Sequence, residues 1–230
     1  MGDVSITLRI SARRALAIMA GLIGVLTAAS TAAVGALALF HWPEGSLGHE
    51  TVKMFWLDSE RNLPTLYQSL ALGLSAALMF VLARVSPSLQ PVDRTRWKVL
   101  GGVFAFLALD ENLRFHETIG DTSSFTFGAV GLAIYVPVVA LLGLWWVPLL
   151  RRLDRRLRGL LLAAAALYLG GAAGVESAGQ LYAAVAGKAT PLYAALATIE
   201  EILEMAGVAV LVYALLEHLA RIQAAECSAP

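Results

Sequence analysis

The chain has 230 residues, 58% of them hydrophobic and 15% charged, with a mean hydropathy of +0.71. A soluble domain carries about 25% charged residues, and the apolar residues here fall in long unbroken runs, so the composition indicates an integral membrane protein. Basic and acidic residues balance to a net charge of zero, which offers no basic surface to nucleic acid, and a single cysteine, Cys227, excludes an internal disulfide.

Six apolar stretches follow in chain order. Ala15 to Phe40 carries no charge and is far longer than the apolar core of about 7–15 residues in a signal peptide. A retained first span is therefore expected, with cleavage within Thr27–Ala38 as the alternative. Pro64 to Val85 places a proline in its first turn, where the missing N–H costs nothing. Trp97 to about Glu117 is third. Gly128 to Leu150 is fourth, and Pro137 inside it should bend the helix. Gly159 to about Val185 and Tyr193 to Leu219 complete the set. The expected fold class is thus an all-α polytopic membrane bundle of six transmembrane helices.

Basic residues orient it. Arg9, Arg13 and Arg14 precede the first span, Arg84, Arg94, Arg96 and Lys98 separate the second from the third, and the run RRLDRRLR (residues 151–158) separates the fourth from the fifth. The opposite connections hold only Lys53, Arg61 and Lys188. The positive-inside rule then puts both termini in the cytoplasm. Residues 1–14 read as a cytoplasmic segment, 15–220 as the membrane domain and 221–230 as a cytoplasmic tail. The basic run needs no role beyond topology and contact with lipid headgroups.

Against this apolar background stand seven acids: Asp110, Glu111 and Glu117 in the third stretch, Glu176 in the fifth, and Glu200, Glu201 and Glu204 in the sixth. A charged side chain at the centre of a spanning helix costs about 2.5–3.5 kcal/mol even on lenient scales. At about 1.5 Å per residue, Asp110 and Glu111 lie roughly 20 Å above the inner end of their helix, and Glu176 roughly 25 Å above the inner end of its own. Glu200 and Glu201 lie roughly 11 Å below the outer surface, with Glu204 near the midplane. Three helices therefore bring acids to one level, in the outer half of the bilayer. Helical geometry gathers Asp110, Glu111, Arg114 and Glu117 within an arc of about 120°, and Glu200, Glu201 and Glu204 within about 100°.

Arg114 is the one basic residue among them and serves as counter-ion at helical spacing to Asp110 or Glu111. One arginine cannot neutralise the whole set. Carboxylates are hard oxygen donors, so the expected ligand is a divalent cation (Mg, Ca or Mn, with Fe if His116 joins), held by Asp110, Glu111, His116, Glu117, Glu176, Glu200, Glu201 and Glu204. Before the second span, Asp58, Glu60 and Asn62 alternate like the opening of a calcium loop. Leu63 stands where that loop needs glycine and Ser69 where it needs its closing glutamate, so an EF-hand is excluded. These three residues lie on the outer side and are expected to line the mouth of the site.

No G-x-S-x-G, Cys–His, P-loop or GxGxxG arrangement is present, and the E-x-x-H pairs of di-iron bundles are missing. The combination LDE-x4-HE (109–117), EE-x2-E-x-x-G (200–207) and D-x-E-x-N-x-P-T (58–65) resembles that of a group of uncharacterised bacterial six-span membrane proteins. The resemblance covers most of the chain. It implies the fold, a bacterial-type inner membrane and the grouping of these positions, and it carries no function with it.

Three classes of function fit such a site. One is a metal-dependent membrane enzyme acting on a lipid or a periplasmic substrate. Another is a proton- or cation-coupled transporter. The third is a structural or assembly subunit. Val99–Leu109, Leu160–Leu169 and Val208–Leu216 are nearly free of polar groups, so the inner half lacks the lining of a conduction path. That favours a pocket open to the outside. Membrane lipid is the expected surrounding partner, and the sequence leaves self-association open.

Overall fold

The computed structural model describes residues 11–86, 89–113 and 127–227. Among these residues all regular secondary structure is helical. Helix α1 (Ala12–Phe40) ends at His41, whose left-handed φ of 49° turns the chain. A short helix, α2 (Leu47–Lys53), follows; Ser46 caps it by accepting from the His49 backbone N–H, satisfying one of the orphan donors of a helix start. Nothing in the sequence pattern announced α2, because seven residues are too few to show a helical period.

Helices α3 (Leu63–Val85), α4 (Pro91–Leu113) and α5 (Phe127–Arg152) correspond to the second, third and fourth apolar stretches. Pro137, expected to bend the fourth, lies inside its helix, as does Pro148. Helix α6 (Arg155–Leu169) is capped by Asp154, which accepts from the backbone N–H groups of Arg156 and Leu157 at 3.0 Å each. It then runs through a π-helical turn, Gly170–Val175, into α7 (Glu176–Ala186). The last helix, α8 (Pro191–Cys227), extends eight residues past the Leu219 expected as its end.

Three of these rods are long and apolar enough to cross a membrane: Ala12–Phe40, Leu63–Val85 and Arg155–Ala186. Helix α1 exposes Ile18, Leu22, Val25, Leu39 and Phe40, an apolar surface larger than a water-facing helix normally carries. Helix α8 is the hub, packing against α1, α3, α6, the π-helical turn and α7, while α4 pairs mainly with α3. Met205, Val208, Val212, Leu215 and Leu219 of α8 share one core with Leu72, Met79 and Leu82 of α3 and Leu157 and Leu161 of α6.

At the arginine-rich end the helices are tied by charge. Asp93 is 3% exposed and accepts from Arg96 at 2.6 Å and from Arg152 at 2.8 Å. Arg96 Nε donates to the Trp145 carbonyl, and Trp146 Nε1 returns a bond to the Arg96 carbonyl, with Trp97 and Trp146 in edge contact at 4.8 Å. Nearby, Glu217 on α8 holds Arg156 at 2.9 Å and Arg221 at 3.1 Å. The extra turns of α8 therefore form an ion-paired ridge with the α5–α6 corner.

Candidate functional site

A close backbone approach between α6, the π-helical turn and α8 positions the acids of α8. A Cβ added to Gly207 would stand 2.7 Å from the Tyr168 nitrogen and 2.9 Å from the Ala164 carbonyl oxygen. One added to Gly171 would stand 2.8 Å from the Glu200 carbonyl oxygen and 3.0 Å from Glu204 Cγ. Glycine is required at both positions, and the π-helical turn lies directly against the acidic stretch of α8. Such turns inside α-helices occur frequently at functional sites.

Around this contact the acids of separate elements converge. Glu201 lies within electrostatic range of Glu111 on α4, of Glu200, and of Asp58 and Glu60 in the loop before α3. Glu204 is in range of Glu201, Glu111, Glu200 and Glu176. Tyr168 sits at the junction, near Glu204, Glu111, Glu201 and Asp110. Glu200, Glu201, Glu204, Asp110 and Glu111 are all partly buried, whereas Glu176 at the start of α7 is exposed. Crowded carboxylates in a poorly hydrated site repel one another strongly, so a proton or another cation among them is electrostatically favoured.

The loop that supplies Asp58 and Glu60 is firmly fixed. The Leu57 N–H donates to Ser30 Oγ at 3.0 Å, anchoring the loop to α1. Asn62 Nδ2 donates to the carbonyls of Lys53, Trp56 and Ser59, and Asn62 Oδ1 accepts from the Thr65 N–H to cap α3. Asp58 lies near Lys188; loss of water around its carboxyl raises its pKa from the ordinary aspartate value, and Lys188 partly opposes that rise. Of the three residues expected at the mouth, Asp58 and Glu60 reach the cluster. Asn62 is consumed by the loop and the helix cap.

Arg114, His116 and Glu117 lie outside the described residues. Among the described residues, no three His, Cys, Asp or Glu side chains are arranged to hold a metal ion. The described acids alone do not fit the expected metal centre.

Three participants were not singled out from sequence. Tyr168 lies in the apolar run Leu160–Leu169. Tyr193 carries the Lys188 ammonium 5.8 Å from its ring centroid and lies in range of Asp58, Glu200 and Glu176. Gln68 is 2% exposed, and neither its Oε1 nor its Nε2 has a hydrogen-bond partner among the described residues. An unsatisfied buried polar group costs about 1–3 kcal/mol. A buried glutamine in the apolar stretch of α3 was the signal available for it.

Fold and site define an all-helical protein with helices suited to a membrane and a group of carboxylates, from α4, α8 and the loop before α3, within electrostatic range of Glu201. Residues 9–219 match the family described as a domain of unknown function (DUF8692), and the chain belongs to that family. No curated protein and no solved structure matches it.

Proposed function

We propose that the chain is a six-span inner-membrane protein with both termini in the cytoplasm, whose outer half holds a cation-binding pocket. The observation carrying this reading is the gathering of Asp58, Glu111, Glu200 and Glu204, from three separate segments, within electrostatic range of Glu201. Uncompensated, such a set opposes folding; a bound cation converts the repulsion into binding energy. Arginines tied to Asp93 and Glu217 at the opposite end agree with the orientation expected from the positive-inside rule.

The pocket opens outward and stops inside. Below Glu204, the buried face of α8 consists of Met205, Val208, Ala209, Val212 and Leu215, an apolar plug. This supports binding at the outer face over conduction through the bundle. Divalent metal ions remain candidates for the occupant, with His116 and Glu117 as further donors. A metal-dependent enzyme would use the same pocket on a lipid or periplasmic substrate.

The test is metal analysis and thermal unfolding of protein purified without chelator, beside Asp110→Asn/Glu201→Gln. Bound or titratable cation in the wild type that is lost in the variant supports the pocket. Equal behaviour of both proteins toward every cation would overturn it. Orientation is checked separately: Cys227 should react with an impermeant maleimide in inside-out vesicles and not in intact cells.

A further inference from the structure

We propose that the pocket takes an organic ammonium ion, a primary amine or linear polyamine, with Gln68 hydrogen-bonding it at the inner end. This rests on the cation-pocket reading and names the class of cation.

The direction of Gln68 follows from its neighbours. Ser69 Oγ donates to the Ala108 carbonyl at 2.7 Å, and a Cβ on Gly73 would touch Ala108, so that stripe of α3 faces α4. Gln68 lies about 100° further round, on the stripe of Leu72 and Met79, which shares its core with Met205 and Val208 of α8. Its depth follows from the loop: Asp58 and Glu60, both in range of Glu201, lie just before α3. Gln68, roughly 7 Å below the start of α3, thus lies on the face of α3 turned toward α8, in the turns next to the loop that carries Asp58 and Glu60. A buried amide with both atoms unpartnered fits a ligand that donates to Oε1, while Nε2 donates to a neighbouring carboxylate.

The mouth shows what kind of cation the site accommodates. Lys188 Nζ stands 5.8 Å from the Tyr193 ring centroid and in range of Asp58, so an ammonium already lies over an aromatic ring within electrostatic range of a carboxylate. Rings and carboxylates together are how proteins hold alkylammonium ions. A bare divalent ion needs converging oxygens, and no three of the described acids are so arranged. Acids distributed from Asp58 at the mouth to Glu204 at depth suit amines spaced along a chain. Lys188 then occupies the outermost ammonium position as a tethered competitor.

The experiment uses the full chain in nanodiscs of phosphatidylcholine, a lipid without a primary amine. Putrescine, spermidine, Mg²⁺, Ca²⁺ and Mn²⁺ are titrated at constant ionic strength, with melting temperature and calorimetric binding as readouts. Spermidine should bind saturably. Gln68→Met should melt higher than wild type without ligand, yet bind spermidine at least about 10-fold more weakly. Lys188→Ala, at an exposed loop position, should bind it more tightly. Saturable metal binding without amine binding overturns the ammonium assignment and leaves the cation pocket standing. Binding of neither overturns both, and wild-type spermidine affinity in Gln68→Met overturns the role of Gln68.

Discussion

Gly207 of α8 lies so close to Tyr168 of α6 that a single added methyl group would stand 2.7 Å from the tyrosine backbone nitrogen. Backbone cannot rotate away as a side chain can, so Gly207→Ala must push the two helices apart. The same holds for Gly171→Ala against the Glu200 carbonyl. Overpacking of this kind costs about 1–3 kcal/mol. Both variants should melt lower and lose cation response together, whereas Gly102→Ala, where a Cβ meets nothing within 4 Å, should do neither.

The loop bearing Asp58 and Glu60 depends on two anchors. Ser30 is 2% exposed and holds the Leu57 N–H, so Ser30→Ala leaves a buried donor unpaired, at about 1–3 kcal/mol. Asn62→Ala removes a helix cap and three bonds to loop carbonyls, and should be the more damaging change. Limited proteolysis between Trp56 and Arg61 should rise in both variants.

Asp93 and Arg96 form a buried pair, 3% and 8% exposed. Removing one partner strands the other charge, so Asp93→Asn should destabilise by about 3–5 kcal/mol. The exposed Arg152 should matter far less, and Arg152→Gln should cost under about 1 kcal/mol. Denaturation in mixed micelles would rank the two.

Asp154 is held below the ordinary aspartate pKa, first by the Leu157 N–H, then by Arg221 and the Arg156 N–H, with burial opposing. A lowered folded-state pKa means that this contribution is present above the unfolded-state value and is lost as pH falls through the folded one. Asp154→Ala should therefore destabilise at neutral pH by about 0.5–2 kcal/mol, the value of a helix cap. The difference from wild type should shrink at strongly acid pH, in unfolding measured across that range.

Neutralising one crowded acid should stabilise the protein when no cation is added. Glu201→Gln is expected to raise stability by about 0.5–2 kcal/mol while weakening cation binding, the trade-off typical of functional sites. Loss of stability in that variant at low cation would show that Glu201 is paired structurally.

Helix α4 with Asp110 and Glu111, and α8 with Glu200, Glu201 and Glu204, were legible because a charge in an apolar run stands out and helical rise fixes its depth. The rod from Arg155 to Ala186 was likewise legible as one long apolar stretch, but the π-helical turn within it is something a count at 3.6 residues per turn cannot register.

Local composition determined an apolar, helical chain with its acids confined to a few turns, since burial and helix periodicity are properties of neighbouring residues. Only the tertiary structure decided that Asn62 is spent on the loop, that Gln68 lies buried without a partner, and that Tyr168 and Tyr193 join the acids. Those relationships arise between segments far apart in the chain. Their geometry depends on how closely α6 approaches α8 across Gly171 and Gly207, a distance that no spacing along the sequence encodes.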